Sequence, residues 1–526
     1  MHHYRDHATE NGPHPLSYPS GYTEPGKGSM DSKTAIRQFS SGRAHVLGLS
    51  DSGRIWAWNR IHSPGAHVRF LHLEIREQSE ETPDSLYGRV RQVRAGWTLS
   101  SAYIHGTGIV LWSPGDPNDE NNDSELLLVS SPIEVPNTDY QRVKDSSRES
   151  EEQQRLGAEV GEVLNYILLE HYVVFVTDIG KVFAARIRDE NAVTEILELR
   201  QLRNETGTTS DVQGAFRSFA VFKNGEVITS DQDYIHACWD ARTTNREQTD
   251  IEGLKRIPAL QNNDVISVSF GDFHFLALHS NGKITAYGKE LQGCGALGLG
   301  GDGVPEGFAR GIRYLGLHRD GQLLPHAYTT GREVWFQPEK RKWIMWMMAG
   351  GRDTMEANER MRWAFQESNV QGDVSEWFEQ EGRDWDKDPE LKEADDDGLG
   401  AHFALSVSAA GWHSAAIVLV NEDLEERVRQ RCIVQDDSGA AAEASEEPQP
   451  PIANSHLRNV LRANETRNSA RGDPTHGRSP GAGLKYVWAD KSFPRPKLSD
   501  GREMPGTVPF DEWKSGRPPW QVDIGV

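Results

Sequence analysis

Sulfur is scarce in this chain. Its 526 residues include three cysteines, Cys238, Cys294 and Cys432, far apart and without a Cys-x-x-Cys pair. Such spacing indicates neither a disulfide framework nor a zinc site, and it fits a reducing compartment. Positive charge is in deficit as well: 57 Lys and Arg stand against 79 Asp and Glu, a formal net charge of −22. Non-specific binding to DNA or to an anionic membrane depends on Lys and Arg neutralising phosphates, so neither nucleic acid nor membrane is an expected partner. The N-terminus is polar, with Pro and Gly and no apolar stretch, so no secretory signal is expected. One window, Leu399 to Val420, has no Asp, Glu, Lys or Arg, but it holds His402, Ser406, Ser408, His413 and Ser414, which are costly in lipid. The expected location is cytoplasmic, with the nucleus also open. Apolar residues make up only 36%, so part of the chain is expected to lie outside any core.

What is present is a repeat. A Gly is followed by about eleven mostly apolar strand formers, then a second Gly, then an aliphatic or aromatic pair. Gly42 and His45 lead to Gly53-Arg54-Ile55-Trp56, and Gly96-Trp97 leads to Gly108-Ile109-Val110. The third copy has Leu169 in place of the first Gly and ends at Gly180-Lys181-Val182-Phe183. Gly214 leads to Gly225, Gly271 and His274 lead to Gly282, and Gly411 with His413 opens a sixth copy that lacks the second Gly. Asn224-Gly225 and Asn281-Gly282 predict two-residue type I′ turns, because both central positions need positive φ. Each unit is thus read as a β-hairpin. The second glycines, at 53, 108, 180, 225 and 282, recur at about 50 residues. That period, at four strands per unit, predicts an all-β propeller of radially arranged blades.

Chemistry is harder to find. His45, His274 and His413 share a repeat position, and the expectation is that each ties its own blade by a side-chain hydrogen bond, not that they gather on a metal. No P-loop, dinucleotide fingerprint, H-E-x-x-H or nucleophile elbow is present. Neither catalytic residues nor a cofactor or metal site is predicted, and no enzyme activity is expected. Residues 303–400 form a long, partly helical insertion rich in Trp. Trp343, Trp346 and Met347 can share a helix face, and Trp363 and Trp377 follow. This stripe either packs on the propeller or binds a partner, and Trp343, Trp346, Trp363 and Trp377 are the candidate partner-binding residues.

The stretch GDFHFLALHSNGKITAYGKELQGCGALGLG, Gly271 to Gly300, resembles the repeat of the regulator of chromosome condensation family, including Gly288, Gly295 and Gly298. The family's fold is a seven-bladed propeller; six blades are recognisable here. IPALQNNDVISVSFGDFHFLAL (Ile257 to Leu278), VRAGWTLSSA (Val93 to Ala102) and SAAGWHSAAIV (Ser408 to Val418) are further similar to fungal F-box proteins of the SCF-associated factor type. That resemblance implies a substrate-binding propeller of an SCF ubiquitin ligase, with ligase components and client proteins as partners. It also implies an F-box and a first blade ahead of Gly42, which the polar residues 1–34 do not match. The founding family member implies an alternative, nucleotide exchange on a Ran-like small GTPase.

The expected organisation is a polar segment at 1–34, a propeller at 35–421 with insertions at 141–157 and 303–400, a disordered linker at 422–485, and a Pro- and aromatic-containing tail at 486–526 that docks on the body.

Overall fold

The computed structural model describes residues 16–22, 31–59, 63–77, 86–115, 125–142, 157–188, 192–206, 210–244, 246–261, 264–300, 306–315, 318–349, 368–395, 397–432, 498, 502, 508 and 510–516. Among them the chain forms six sheets in sequence order. Every pairing between strands but one is antiparallel, the exception being Ala66–Phe70 with Leu126–Val129; the isolated bridge of Leu169 with Phe216 is also parallel. Each sheet opens with a hairpin: Ile36–Ser41 with Val46–Ser50, Val90–Ala95 with Ser100–Ile104, Val163–Leu168 with Tyr172–Thr177, Asp211–Ala215 with Ser218–Lys223, Val265–Phe270 with His274–His279, and His402–Ala410 with His413–Val420.

The first strands of successive sheets lie side by side, and polar side chains stitch them. Gln38 exchanges two 3.2 Å hydrogen bonds with the main chain of Val93. The Arg94 guanidinium donates to the Tyr166 carbonyl at 3.2 Å, Asn165 to that of Val212 at 3.0 Å, and Gln213 accepts from the Val268 N–H at 2.7 Å. Ser269 accepts from Ala409 N–H at 2.8 Å. Every inner strand would otherwise leave part of its ladder unpaired, a costly state for buried amides. The sheets therefore fan around the line of their first strands, which is the architecture of a β-propeller. The core lies between the sheets: Leu47, Val93 and Trp112 pack between the first two, and Val174, Phe219 and Ile228 between the third and fourth.

The turns differ from their predicted form in one place. Lys223 pairs with Glu226 across Asn224-Gly225, both with positive φ (51° and 77°), a two-residue type I′ loop. Asn281-Gly282 belongs instead to a three-residue loop: His279 N–H donates to the Lys283 carbonyl, and only Gly282 has positive φ (75°). Ser50 to Arg54 and Thr177 to Lys181 close in the same way.

Two boundaries need correction. Part of the 303–400 insertion belongs to the fifth sheet, because Arg332–Glu333 and Asp320–Leu323 pair with the outer edge of Ile284–Glu290 and satisfy it. The domain boundary at 422 puts the linker too early: the sequence also reads 420–431 as a short helix, and Glu422–Arg431 is one, capped by the Asn421 side chain and burying Leu424 and Val428; residues 433–485 lie outside the described residues. Most of the 141–157 segment also lies outside them.

Candidate partner-binding face

The hairpin that opens each sheet turns through a two-residue loop. Pairing of Gly42 with His45, Gly96 with Leu99, Leu169 with Tyr172, Ala215 with Ser218, Gly271 with His274 and Ala410 with His413 leaves Arg43-Ala44, Trp97-Thr98, Glu170-His171, Phe216-Arg217, Asp272-Phe273 and Gly411-Trp412 as the loops. The equivalent positions in the fourth and sixth copies are thus Ala215, one residue after the predicted Gly214, and Ala410, one residue before the predicted Gly411.

These loops meet at one end of the fan. The Arg43 guanidinium lies 3.8 Å over the Trp97 ring, and Trp97 stacks on Phe216 with ring centres 4.2 Å apart and planes 27° from parallel. Arg217 covers the Phe216 ring at 5.1 Å and donates to Glu170 at 2.6 Å. Sheets one, two, three and four all contribute to this run of cations and rings. Phe216 is held at φ 56°, a left-handed conformation that a bulky residue adopts only under constraint. On the loops of sheets five and six, Phe273 and Trp412 are 48% and 42% exposed. Exposed aromatics and arginines are the side chains that anchor protein interfaces.

The charges on this face are organised. Burial would raise the Glu170 acid, but hydrogen bonds from Arg217 and Gln232 outweigh it and hold the carboxyl below its ordinary range. Burial pushes the Asp272 acid up, against the opposing pull of Arg43 and His413. Arg43 thus acts on sheet five as well as on Trp97.

The predicted repeat residues fall into distinct roles. Gly53, Gly108, Gly180, Gly225, Gly282, Gly288, Gly295 and Gly298 all have positive φ. Gly42, Gly96, Gly214 and Gly271 do not; there an added Cβ would overlap a neighbour, the Gly96 carbonyl in the case of Gly42 and the His274 ring in the case of Gly271. His45 meets the Ser100 hydroxyl at 2.9 Å and His274 that of Ser414 at 2.8 Å. Each imidazole ties the next sheet, not its own as predicted, because the ring reaches past its hairpin to the inner edge of its neighbour. His413 is exposed. Among the described residues no three His, Cys, Asp or Glu side chains gather in a way that would hold a metal, and no helix is long and apolar enough to cross a membrane.

Two of the four candidate tryptophans, Trp343 and Trp377, are buried away from this face. Trp343 and Trp377 are 2% and 0% exposed, in a cluster with Ile344, Phe378 and Trp385 that also takes in Leu498 and Phe510 from the tail. As partner-binding residues they are corrected: burial makes them packing residues, since a side chain without exposed surface has none to offer. The Trp346 side chain and Trp363 lie outside the described residues. A concavity of about 480 Å³ opens between this insertion and the last sheet. Its charges are largely answered within the chain, Lys283 and Lys340 meeting Asp386 at 2.8 and 3.0 Å.

Sequence reasoning named the glycines and histidines of the loops and missed the residues between them. The available signal was the position directly after each repeat glycine, occupied by Arg43, Trp97, Asp272 and Trp412. A backbone turn explains the glycine; it does not explain a large side chain beside it.

Residues 265–295, most of the fifth sheet, match the regulator of chromosome condensation (RCC1) repeat. Together with the six fanned sheets, this makes the chain an RCC1-like propeller. It is related to SCF-associated factor 1 of Saccharomyces cerevisiae, with 25% identity over 263 residues, 50% of this chain. The match spans 34% of that relative's length. Among solved structures, yeast RCC1 (Prp20) bound to Kap60 has TM-score 0.36 and 14% identity, covering 75% of this chain and 83% of the other. Human WBSCR16 has TM-score 0.30 and 14% identity, covering 50% and 63%.

Proposed function

We propose that this chain is a non-enzymatic platform for protein partners, serving as the substrate-binding propeller of an SCF-type ubiquitin ligase. One blade corresponds to each sheet, six in the described residues. The observation that carries the reading is the ladder Arg43, Trp97, Phe216, Arg217 at the meeting point of the loops. Relationship to SCF-associated factor 1 supports the choice of ligase over other assemblies.

The test is affinity capture from cells with the wild-type chain and with Trp97→Ala and Arg43→Ala. Ligase subunits, and unstable proteins that accumulate when the proteasome is blocked, are expected with the wild type and reduced with both variants. Capture of neither group, or capture unchanged in both variants, overturns the reading. Accelerated nucleotide release from a Ran-like GTPase would replace it with the exchange-factor alternative.

A further inference from the structure

Arg37 and Arg91 stand at the same place in the repeat. Each is the extra residue of a bulge in the first strand of its sheet, between Ile36 and Gln38 and between Val90 and Gln92. Three other first strands bulge at the matching point, and there the residue is Leu164, Ile266 or Leu405. The fold therefore does not require a cation at this position. A bulge re-aims the side chain it carries, and these two arginines line one concavity of about 180 Å³ on sheets one and two. Arg76, Arg89 and His105 line it as well.

The concavity is positive in a chain that is otherwise strongly negative. Asp51 lines it, and Arg76 donates to Glu74 at 3.2 Å. Arg37 and Arg91 meet no carboxylate among the described residues. Each gives one N–H to a main-chain carbonyl, Arg37 to Val90 at 3.0 Å and Arg91 to Val163 at 3.2 Å, which leaves most of each five-donor fork available. Burial, and then the charges of Arg91 and Arg89, hold the His105 imidazole below its ordinary value. Gln141 lies 3.1 Å from its Nδ1; with the amide N–H as donor, the ring's own N–H sits on Nε2. Guanidinium forks match the oxygens of a phosphate. The lining includes no Phe, Tyr or Trp on which a nucleobase would stack.

We propose that this concavity binds a phosphate monoester dianion, carried by a phosphorylated serine or threonine of a protein partner. The site lies at the opposite end of the first strands from the loop face, so it stands apart from the platform reading. Ligase capture without phosphate binding would sink this proposal and leave that one intact.

The experiment uses the full chain with a phosphothreonine peptide library, the same library unphosphorylated, and inorganic phosphate alone. The phosphorylated library should be retained at least about tenfold better, and inorganic phosphate should compete it off. Arg37→Gln and Arg91→Gln should each weaken retention about tenfold, the loss of one charge-assisted contact, whereas Leu164→Gln at the equivalent bulge should not. Because a variant that misfolds would mimic this loss, the wild-type melting temperature is also compared in phosphate and in chloride at equal ionic strength; a rise in phosphate is expected. Equal retention of both libraries, or retention unchanged when Arg37→Gln and Arg91→Gln are combined in one chain, overturns the proposal. No rise in melting temperature does the same. Inorganic phosphate binding without preference for the phosphorylated library overturns the assignment to a protein partner.

Discussion

The imidazole of His274 in the fifth sheet reaches the hydroxyl of Ser414 in the sixth at 2.8 Å, and Ser414 passes a hydrogen bond of 2.7 Å to the Ala296 carbonyl. A side chain that faces its own hairpin in the repeat pattern is in fact a bolt between neighbours. Ser414→Ala should leave the His274 nitrogen without its partner and cost about 1–3 kcal/mol in denaturant unfolding. A double-mutant cycle with His274→Ala should show coupling, because the two residues share one bond. Additive effects would mean that the bond contributes nothing.

The same bolt at His45 makes stability depend on pH. Burial depresses the His45 pKa from the ordinary 6.5 to about 4. The unfolded chain then takes up a proton below about pH 6.5 that the folded one refuses until about pH 4, so stability falls across that window as acid is added. A shift of this size corresponds to about 3 kcal/mol. His45→Gln should flatten this part of a stability-against-pH curve, measured by urea unfolding from pH 7 to 4. A slope that survives the substitution would place its origin elsewhere.

Two kinds of glycine should respond differently to alanine. Gly225 sits at φ 77° with nothing near a would-be Cβ, so Gly225→Ala carries only the left-handed strain of about 1–2 kcal/mol, and Gly225→Asn should be nearly silent. Gly271 has an ordinary φ, but a Cβ there would strike the His274 ring and approach the Gly411 carbonyl at 2.9 Å. Gly271→Ala should therefore cost about 1–3 kcal/mol, and Asn should be worse, not better. Thermal melts of the four variants decide it.

These contrasts show what was legible in the chain and what was not. Hairpins could be read because Asn-Gly and Asp-x-Gly punctuate apolar runs, a local signal. The bolts and the loop face could not, because His45 finds Ser100 and Trp97 finds Phe216 across 55 and 119 positions, and no local rule links them. Polar residues inside the first strands, Gln38, Asn165 and Gln213, break the apolar pattern and look like defects until the next strand supplies the partner. The tryptophans misled for a related reason. A Trp-rich amphipathic helix reads the same whether its stripe meets a partner or the chain's own tail, and Phe510 and Leu498 come from more than a hundred residues downstream.

That tail contact and two buried ion pairs hold the insertion, and they should fail together. Arg310 pairs with Glu379 at 2.9 Å and Arg332 with Glu376 at 2.8 Å, all but fully buried, joining the helix Ser368–Asp384 to the fifth sheet. Arg310 also lies 3.6 Å over the Trp335 ring. Burial alone would raise the Glu379 acid, but Arg310, Arg383 and Arg332 outweigh it and hold the carboxyl below its ordinary value. The stabilisation is thus present above the usual carboxylate range and lost on acidification. Removing one member of such a pair leaves the other charge buried and unanswered, so Glu379→Gln should cost about 3–5 kcal/mol. Trp377→Ala should cost a similar amount by opening the cluster beneath. Since the helix docks on the sheets without supplying any of their strands, both losses should appear first as faster amide exchange in residues 368–384, while the inner strands stay protected. Uniform loss of protection would mean instead that the insertion and the propeller fold as one unit.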